Sequence, residues 1–241
     1  MLISPVVLYF ALLGKRGTRA SLHVGAHKAE EAGQYRRLGI AKVDWVEAQP
    51  ELCEALRERF AGTNHRVFEG CVWSASGNPV ELRITNNSQS TSVLRMGRHS
   101  DYYPQVEVNK VLSTRTIRLD ELLPDDNYGL VNLDIQGAEL EALKGMGRLL
   151  QTVSVVYTEV NREYLYEGCP LVDEVDTWLG AEGFRRTVTK WTSKGWGDAI
   201  YIRDGSWWRE KIMREAFRLS ELRLSIQRRI LGLSRTRRAA R

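Results

Sequence analysis

Leu130-Val131-Asn132-Leu133-Asp134-Ile135-Gln136-Gly137-Ala138-Glu139 is the stretch that decides the fold class. Its first half is apolar enough for a strand covered on both faces, and Gly137 permits a tight turn into a helix. Strand followed at once by helix is half of a βαβ unit, and the pattern recurs on both sides of this stretch. Upstream, residues 21–24 read as a strand that breaks at Gly25, with a helix over 29–38. Residues 43–47 are a second strand, and Pro50 opens a helix that runs to about residue 60. Residues 67–68 mark a third strand. Downstream, the strand at 129–134 is followed by a helix over 138–150, a strand over 153–160 and a helix over 171–179. Two last strands, 184–190 and 198–202, are joined by Thr192-Ser193-Lys194-Gly195-Trp196-Gly197. A connection this short implies a hairpin, so the final strand is antiparallel. The expected fold is α/β and Rossmann-like: a mostly parallel seven-stranded sheet with an antiparallel terminal strand, plus a C-terminal amphipathic basic helix.

One segment breaks the alternation. Residues 80–85 and 106–119 read as extra strands, separated by the polar run Asn86-Asn87-Ser88-Gln89-Ser90-Thr91-Ser92. Such side chains compete with the backbone for hydrogen bonds and do not suit a helix interior. The run is expected to face the substrate that accepts chemistry.

In an open α/β sheet, ligands bind beyond the carboxyl ends of the strands, where the strand order reverses. Four such ends carry chemistry here. After the first strand, Gly25 lets the backbone approach a ligand, but no G-x-G-x-x-G fingerprint is present, so a pyrophosphate has no cradle. Glu47 ends the second strand 22 residues later. A carboxylate there is placed to accept hydrogen bonds from the two hydroxyls of a ribose. Together they favour a nucleoside ligand without a pyrophosphate, for which S-adenosylmethionine is the obvious candidate. Asp134 should emerge from the central strand beside the same crevice, and Glu159 near the rim from the next strand. Glu139 and Glu141 have a structural reason in the helix macrodipole.

The ordered set His23-Val24-Gly25-Ala26-His27, Trp45-Val46-Glu47-Ala48-Gln49-Pro50, residues 86–92, Arg118-Leu119-Asp120 and Leu133-Asp134-Ile135-Gln136-Gly137 through Gly145 resembles the FkbM-type methyltransferases. The resemblance covers roughly residues 19–203. It implies an S-adenosylmethionine-dependent enzyme that methylates a hydroxyl of a sugar, glycan or secondary metabolite. It also implies a cofactor site built from His23, Gly25, Ala26, His27, Glu47, Ala48, Cys71 and Asp134. Two positions depart from the family pattern: His23 stands where Asp is frequent, and Ala29 where a second Gly is frequent. Asp134 is the first choice for the base that takes the acceptor's proton, with Glu159 and His27 as alternatives. Asp134 and Glu159 could also hold a divalent cation; no ligand spacing decides the metal. A non-catalytic, membrane-associated binding protein with the same fold is the competing reading. A nicotinamide-dependent oxidoreductase suffers from the missing glycines.

Across its 241 residues the chain is 43% apolar and 27% charged, which excludes collagenous and disordered chains. Cys53, Cys71 and Cys169 are too few and too scattered for a disulfide framework or a zinc site. They fit a reducing, cytoplasmic setting. The formal charge of +5 is lopsided: residues 207–241 hold eleven Arg or Lys against three Glu, so the rest carries about −3. Three divisions are expected: an apolar N-terminal segment (1–18), a methyltransferase domain (19–204) and a basic tail (205–241). The N-terminal run is too short to span a bilayer, which needs ~20 apolar residues. Its basic residues Lys15, Arg16 and Arg19 follow the apolar run, unlike those of a signal peptide.

In the tail, Trp208, Ile212, Leu219, Leu222, Ile226, Ile230 and Leu233 recur at helical spacing, predicting an amphipathic helix that ends near Gly232. The helix has two main readings. It packs on the domain or on a second subunit, giving a homo-oligomer, or it lies on an anionic membrane surface, with Trp207 and Trp208 as anchors and the protein peripheral at the inner face. Nucleic acid is disfavoured, because the arginine run shows no base-reading motif.

Overall fold

The computed structural model describes residues 1–13, 20–124, 127–203 and 207–239, with side chains described as far as residue 227. Helix α1 (Pro5–Leu12) precedes β1 (Ala20–Val24), α2 (Ala32–Arg37), β2 (Lys42–Glu47), α3 (Pro50–Arg59) and β3 (Arg66–Glu69). An interlude follows: β4 (Cys71–Val72), β5 (Pro79–Thr85), the single turn α4 (His99–Tyr102), β6 (Val108–Ile117) and the turn α5 (Leu119–Leu122). The alternation resumes with β7 (Tyr128–Leu133), α6 (Glu139–Lys144), a 3-10 turn (Gly147–Thr152), β8 (Val155–Asn161) and α7 (Val172–Ala181). The pair β9 (Phe184–Trp191) and β10 (Trp196–Arg203) and the long α8 (Trp207–Ala239) complete the chain.

The main sheet has seven strands in the order β3-β2-β1-β7-β8-β10-β9. The neighbouring pairs from β3 to β8 are parallel, and β10 runs antiparallel to both β8 and β9. This is the α/β, Rossmann-like sheet with one reversed strand that the hairpin loop implied. β7 and β8 are buried along their whole length, as strands covered on both faces must be. The order reverses between β1 and β7, so the crevice opens where Gly25 and Asp134 leave the sheet. The two ends are tied by the Asp134 N–H donating to the Val24 carbonyl at 3.0 Å. The interlude strands form a separate three-stranded sheet, β4-β6-β5.

One core cluster packs α6 and α7 on the sheet, and the other packs α1, α2 and α8 on its opposite face. α1 contributes Val7, Leu8 and Ala11 to that second cluster, beside Met213 of α8. The expected division points at 18/19 and 204/205 lie outside the described residues, as do Lys15, Arg16 and Arg19.

Three elements differ from expectation. α2 starts at Ala32 rather than 29, because His27 and Ala29 sit at φ 44° and 52°. Left-handed backbone in a residue with a Cβ is disfavoured by ~1–2 kcal/mol and cannot belong to a helix. The helix expected over 138–150 is split into α6 and the 3-10 turn, which Gly147 opens at φ 47°. α8 does not stop near Gly232 but continues to Ala239.

Candidate active site

Gly25 is the pivot of the crevice. Its φ is +85°, and a Cβ there would lie 1.9 Å from the Asp134 carbonyl oxygen. Only glycine lets β1 and β7 close together at this point. The Gly25 and Ala26 N–H groups donate to the Val46 carbonyl at 2.9 and 3.0 Å, so the loop is pinned to β2 and brought towards Glu47.

Glu47 is buried at the end of β2, and three backbone donors hold it. The His27 N–H donates to Oε2 at 2.7 Å, and the Ala48 and Gln49 N–H groups each donate to Oε1 at 2.9 Å. Desolvation pushes its carboxyl above the ordinary range, while these donors pull it down. A carboxylate offers about four lone-pair sites, so roughly one remains, on Oε2. Glu47 can therefore accept one ligand hydroxyl rather than the two that its position in the sequence suggested.

Glu47, Ala48 and Cys71 line one side of a cleft that also takes in Gly25, His27 and Asp134. Val72, Leu82 and Ala138 supply an apolar slot within it. The Cys71 thiol is pushed up to about 11 by burial and then by the Glu47 charge, which makes it an inert wall.

Asp134 leaves the end of β7 open to the cleft on one side. Protein crowds it on the others, and desolvation, followed by the Asp198 charge, pushes its carboxyl up to about 6. It also lines a second, wider basin, where Glu159, Asp198, His99, Tyr103 and Trp196 are gathered. Glu159 lies within β8 and pairs across the strands with Asp198 of β10. Desolvation and the neighbouring Asp134, Glu139 and Asp198 charges push Glu159 well above the ordinary carboxyl range. Asp198 is also raised by burial, although the Leu2 N–H and the Tyr157 hydroxyl both donate to it.

Gln136 joins the two predicted carboxylates. Its Nε2 donates to Asp134 at 2.7 Å and reaches Glu159 at 3.5 Å, while its Oε1 accepts from the Tyr166 hydroxyl at 2.7 Å. Its φ of 56° aims the side chain back over the crevice. Glu139 fixes this turn from below, accepting from the Ile135 N–H at 3.0 Å and the Gly137 N–H at 3.1 Å.

The polar 86–92 loop lies between the cleft and the basin. Ser88 Oγ meets His27 Nε2 at 2.7 Å, and Ser92 Oγ donates to the Gln136 carbonyl at 2.8 Å. His27 has its other ring nitrogen on Glu30 at 2.8 Å, so both nitrogens are engaged at the border of the two cavities. Among the described residues, no group of three or more His, Cys, Asp or Glu side chains is placed to hold a metal ion.

A family model for the methyltransferase FkbM domain matches residues 23–186, which takes in every strand end just described. The chain belongs to the FkbM methyltransferase family. Among curated proteins, it is similar to the 2-O-methyltransferase NoeI of Sinorhizobium fredii, with 24% identity over 159 residues. That match covers 61% of this chain and 65% of NoeI, just under two thirds of the relative's length. Among solved structures, it is similar to the magnesium protoporphyrin IX methyltransferase ChlM of Synechocystis with bound S-adenosylmethionine. That pair shares 11% identity, covers 83% of this chain and 76% of ChlM, and has a TM-score of 0.45. TrmK of M. capricolum, solved with S-adenosylhomocysteine, shares 14% identity over 86% of this chain and 70% of TrmK, with a TM-score of 0.44.

The two departures of this FkbM chain have structural explanations. Ala29 is buried in the core at a left-handed φ, the conformation glycine favours, and its methyl group lines neither cavity. His23 is buried too. Its Nδ1 meets the Tyr35 hydroxyl at 2.9 Å and the Asn132 amide at 3.3 Å, and its ring packs on Trp45 with centroids 4.9 Å apart. Burial lowers its pKa to about 4, so it forms a neutral floor beneath the basin. Sequence reasoning missed Gln136, Tyr166 and Asp198. Gln136 carried a signal, since it stands two residues after Asp134 in the turn before Gly137, whereas Asp198 is recognisable only from the β8–β10 register.

Proposed function

We propose that this FkbM-family chain transfers a methyl group from S-adenosylmethionine to a hydroxyl of a sugar, glycan or similar polar metabolite. The observation that carries this reading is the position of Asp134, the carboxylate among the four residues (Gly25, His27, Gln89 and Asp134) that line both the cleft beside Glu47 and the wider basin. The cleft fits the nucleoside donor: a closely approachable backbone at Gly25, one free acceptor site on Glu47 and the apolar slot of Val72, Leu82 and Ala138. When bound, the sulfonium donor supplies the methyl group. The basin fits the acceptor. Asn87, Gln89, Ser90 and Gln105 offer amides and hydroxyls, Tyr103 and Trp196 offer aromatic rings, and among the described residues no Lys or Arg side chain lines it. With Glu30, Glu31, Asp134, Glu159 and Asp198 set against the Met1 ammonium, such a basin suits a neutral or cationic polyol better than an anionic one. The name of NoeI, a 2-O-methyltransferase, supports oxygen as the acceptor atom.

Asp134 takes the acceptor hydroxyl's proton on a carboxylate oxygen. With its carboxyl at about 6, it is mostly ionised at neutral pH yet basic enough to draw the proton. Burial and the neighbouring Asp134, Glu139 and Asp198 charges favour the neutral form of Glu159, which suits it less than Asp134 to act as the base. Gln136 orients Asp134, and Tyr166 orients Gln136. The 86–92 loop covers the boundary and limits water.

Incubation with methyl-labelled donor and a panel of glycans and polar metabolites tests the proposal. Asp134→Asn is expected to lower turnover by ~10²–10⁴-fold while leaving donor binding within a few-fold. Glu159→Gln, which mimics the protonated acid, should stay within about tenfold of the parent. Undiminished turnover by Asp134→Asn would remove that residue from the chemistry.

A further inference from the structure

The apolar stripe of α8 is not the face that holds the helix to the domain. The inward face carries Arg209 and Met213, with Ala216 and Phe217 partly buried against α1 and the sheet. Trp208, Ile212, Leu219, Leu222 and Ile226 lie on another face, within an arc of roughly 80° at ~100° per residue, and all are exposed. Leu219 is 65% exposed and neighbouring Trp207 is 75% exposed. α1 extends the patch with Val6, 55% exposed, and with Tyr9, and a groove lined by Pro5, Val6, Phe10, Ile212 and Leu219 runs between the helices.

The charges of α8 are sorted about this patch. Two of its three glutamates are spent on the domain: Glu221 pairs with Lys190 at 2.6 Å and Glu210 with Arg185 at 3.5 Å. Lys211, Arg214, Arg218 and Arg223 are exposed along the helix, and the sequence beyond residue 227 adds six arginines and no acid. An apolar stripe with tryptophans and cationic borders has the composition of an interfacial helix. Among the described residues, no helix is long and apolar enough to cross a membrane.

We infer that the joint face of α1 and α8 docks on the surface of an anionic lipid bilayer, with the stripe at the acyl boundary and the basic residues against the headgroups. A second copy of the chain is the poorer occupant, because pairing this face with itself brings two tails of +8 together.

Co-sedimentation of the full chain with phosphatidylcholine vesicles, with and without phosphatidylglycerol, tests the docking. Binding is expected to the anionic vesicles and at least ~tenfold weaker to the neutral ones, falling further at high salt. Leu219→Gln/Leu222→Gln should weaken partitioning by ~tenfold or more, and Arg218→Glu/Arg223→Glu by at least as much. These positions are exposed, so thermal melts of the variants should match the parent. No sedimentation with anionic vesicles, equal binding to both lipid types, or parent-like binding by the Gln pair overturns the inference. A dimer in light scattering that the Gln pair dissolves, without vesicle binding, would assign the face to a second copy instead.

Discussion

Glu139→Gln isolates the electrostatic load under the active-site turn. Glu139 is 1% exposed, and desolvation pushes its carboxyl from 4.5 up to about 7, against the Gly137 and Ile135 N–H donors. Its folded-state pKa therefore lies above its unfolded value. The native state holds a proton that the unfolded chain has already released, so stability is lost as pH rises from about 4.5 through about 7. A shift of that size corresponds to roughly 3 kcal/mol. For a chain of this length it amounts to some 6–12 °C in Tm, at ~2–4 °C per kcal/mol. Gln keeps an oxygen for the two N–H donors and cannot ionise. Thermal and urea melts at pH 5 and pH 8 should show the parent losing stability and Glu139→Gln losing up to ~3 kcal/mol less. Any fixed cost of the amide cancels between the two pH values. An identical pH dependence in both proteins would refute the assignment of the buried proton to Glu139.

Gly25→Ala forces a Cβ to within 1.9 Å of the Asp134 carbonyl oxygen at a φ of +85°. It should cost ~2–5 kcal/mol in urea unfolding and abolish donor binding; an unchanged midpoint would contradict the packing at the crevice. With Asp134 at about 6, turnover should fall roughly tenfold between pH 7 and pH 5 as the base is protonated. A flat profile over that range would rule out Asp134 as the proton acceptor.

The sheet was legible because its central strands are uniformly apolar and its turns carry glycine: Leu130 to Leu133, Gly25 and Gly137 state the architecture locally. The hairpin loop of residues 192–197 likewise fixed the reversed strand. The start of α2 was hidden because nothing in the residue identities of His27 and Ala29 signals a left-handed backbone. The tail deceived in another way. Its apolar periodicity was visible, but periodicity cannot say which face meets the domain, and Met213 and Phe217 take that role instead of the stripe. Glu47 and Asp134 could be placed because strand ends can be counted, and the crevice brings them together. The raised carboxyl of Glu159 depends on its burial and on the Asp134, Glu139 and Asp198 charges, which chain segments distant in sequence bring together, a relation only the fold creates.

Isothermal titration of the full chain with S-adenosylmethionine and with S-adenosylhomocysteine tests the proposed donor site most directly. Saturable heat with both is predicted, strongly weakened in Glu47→Ala and retained in Asp134→Asn. Absence of heat from folded protein with either compound would contradict it.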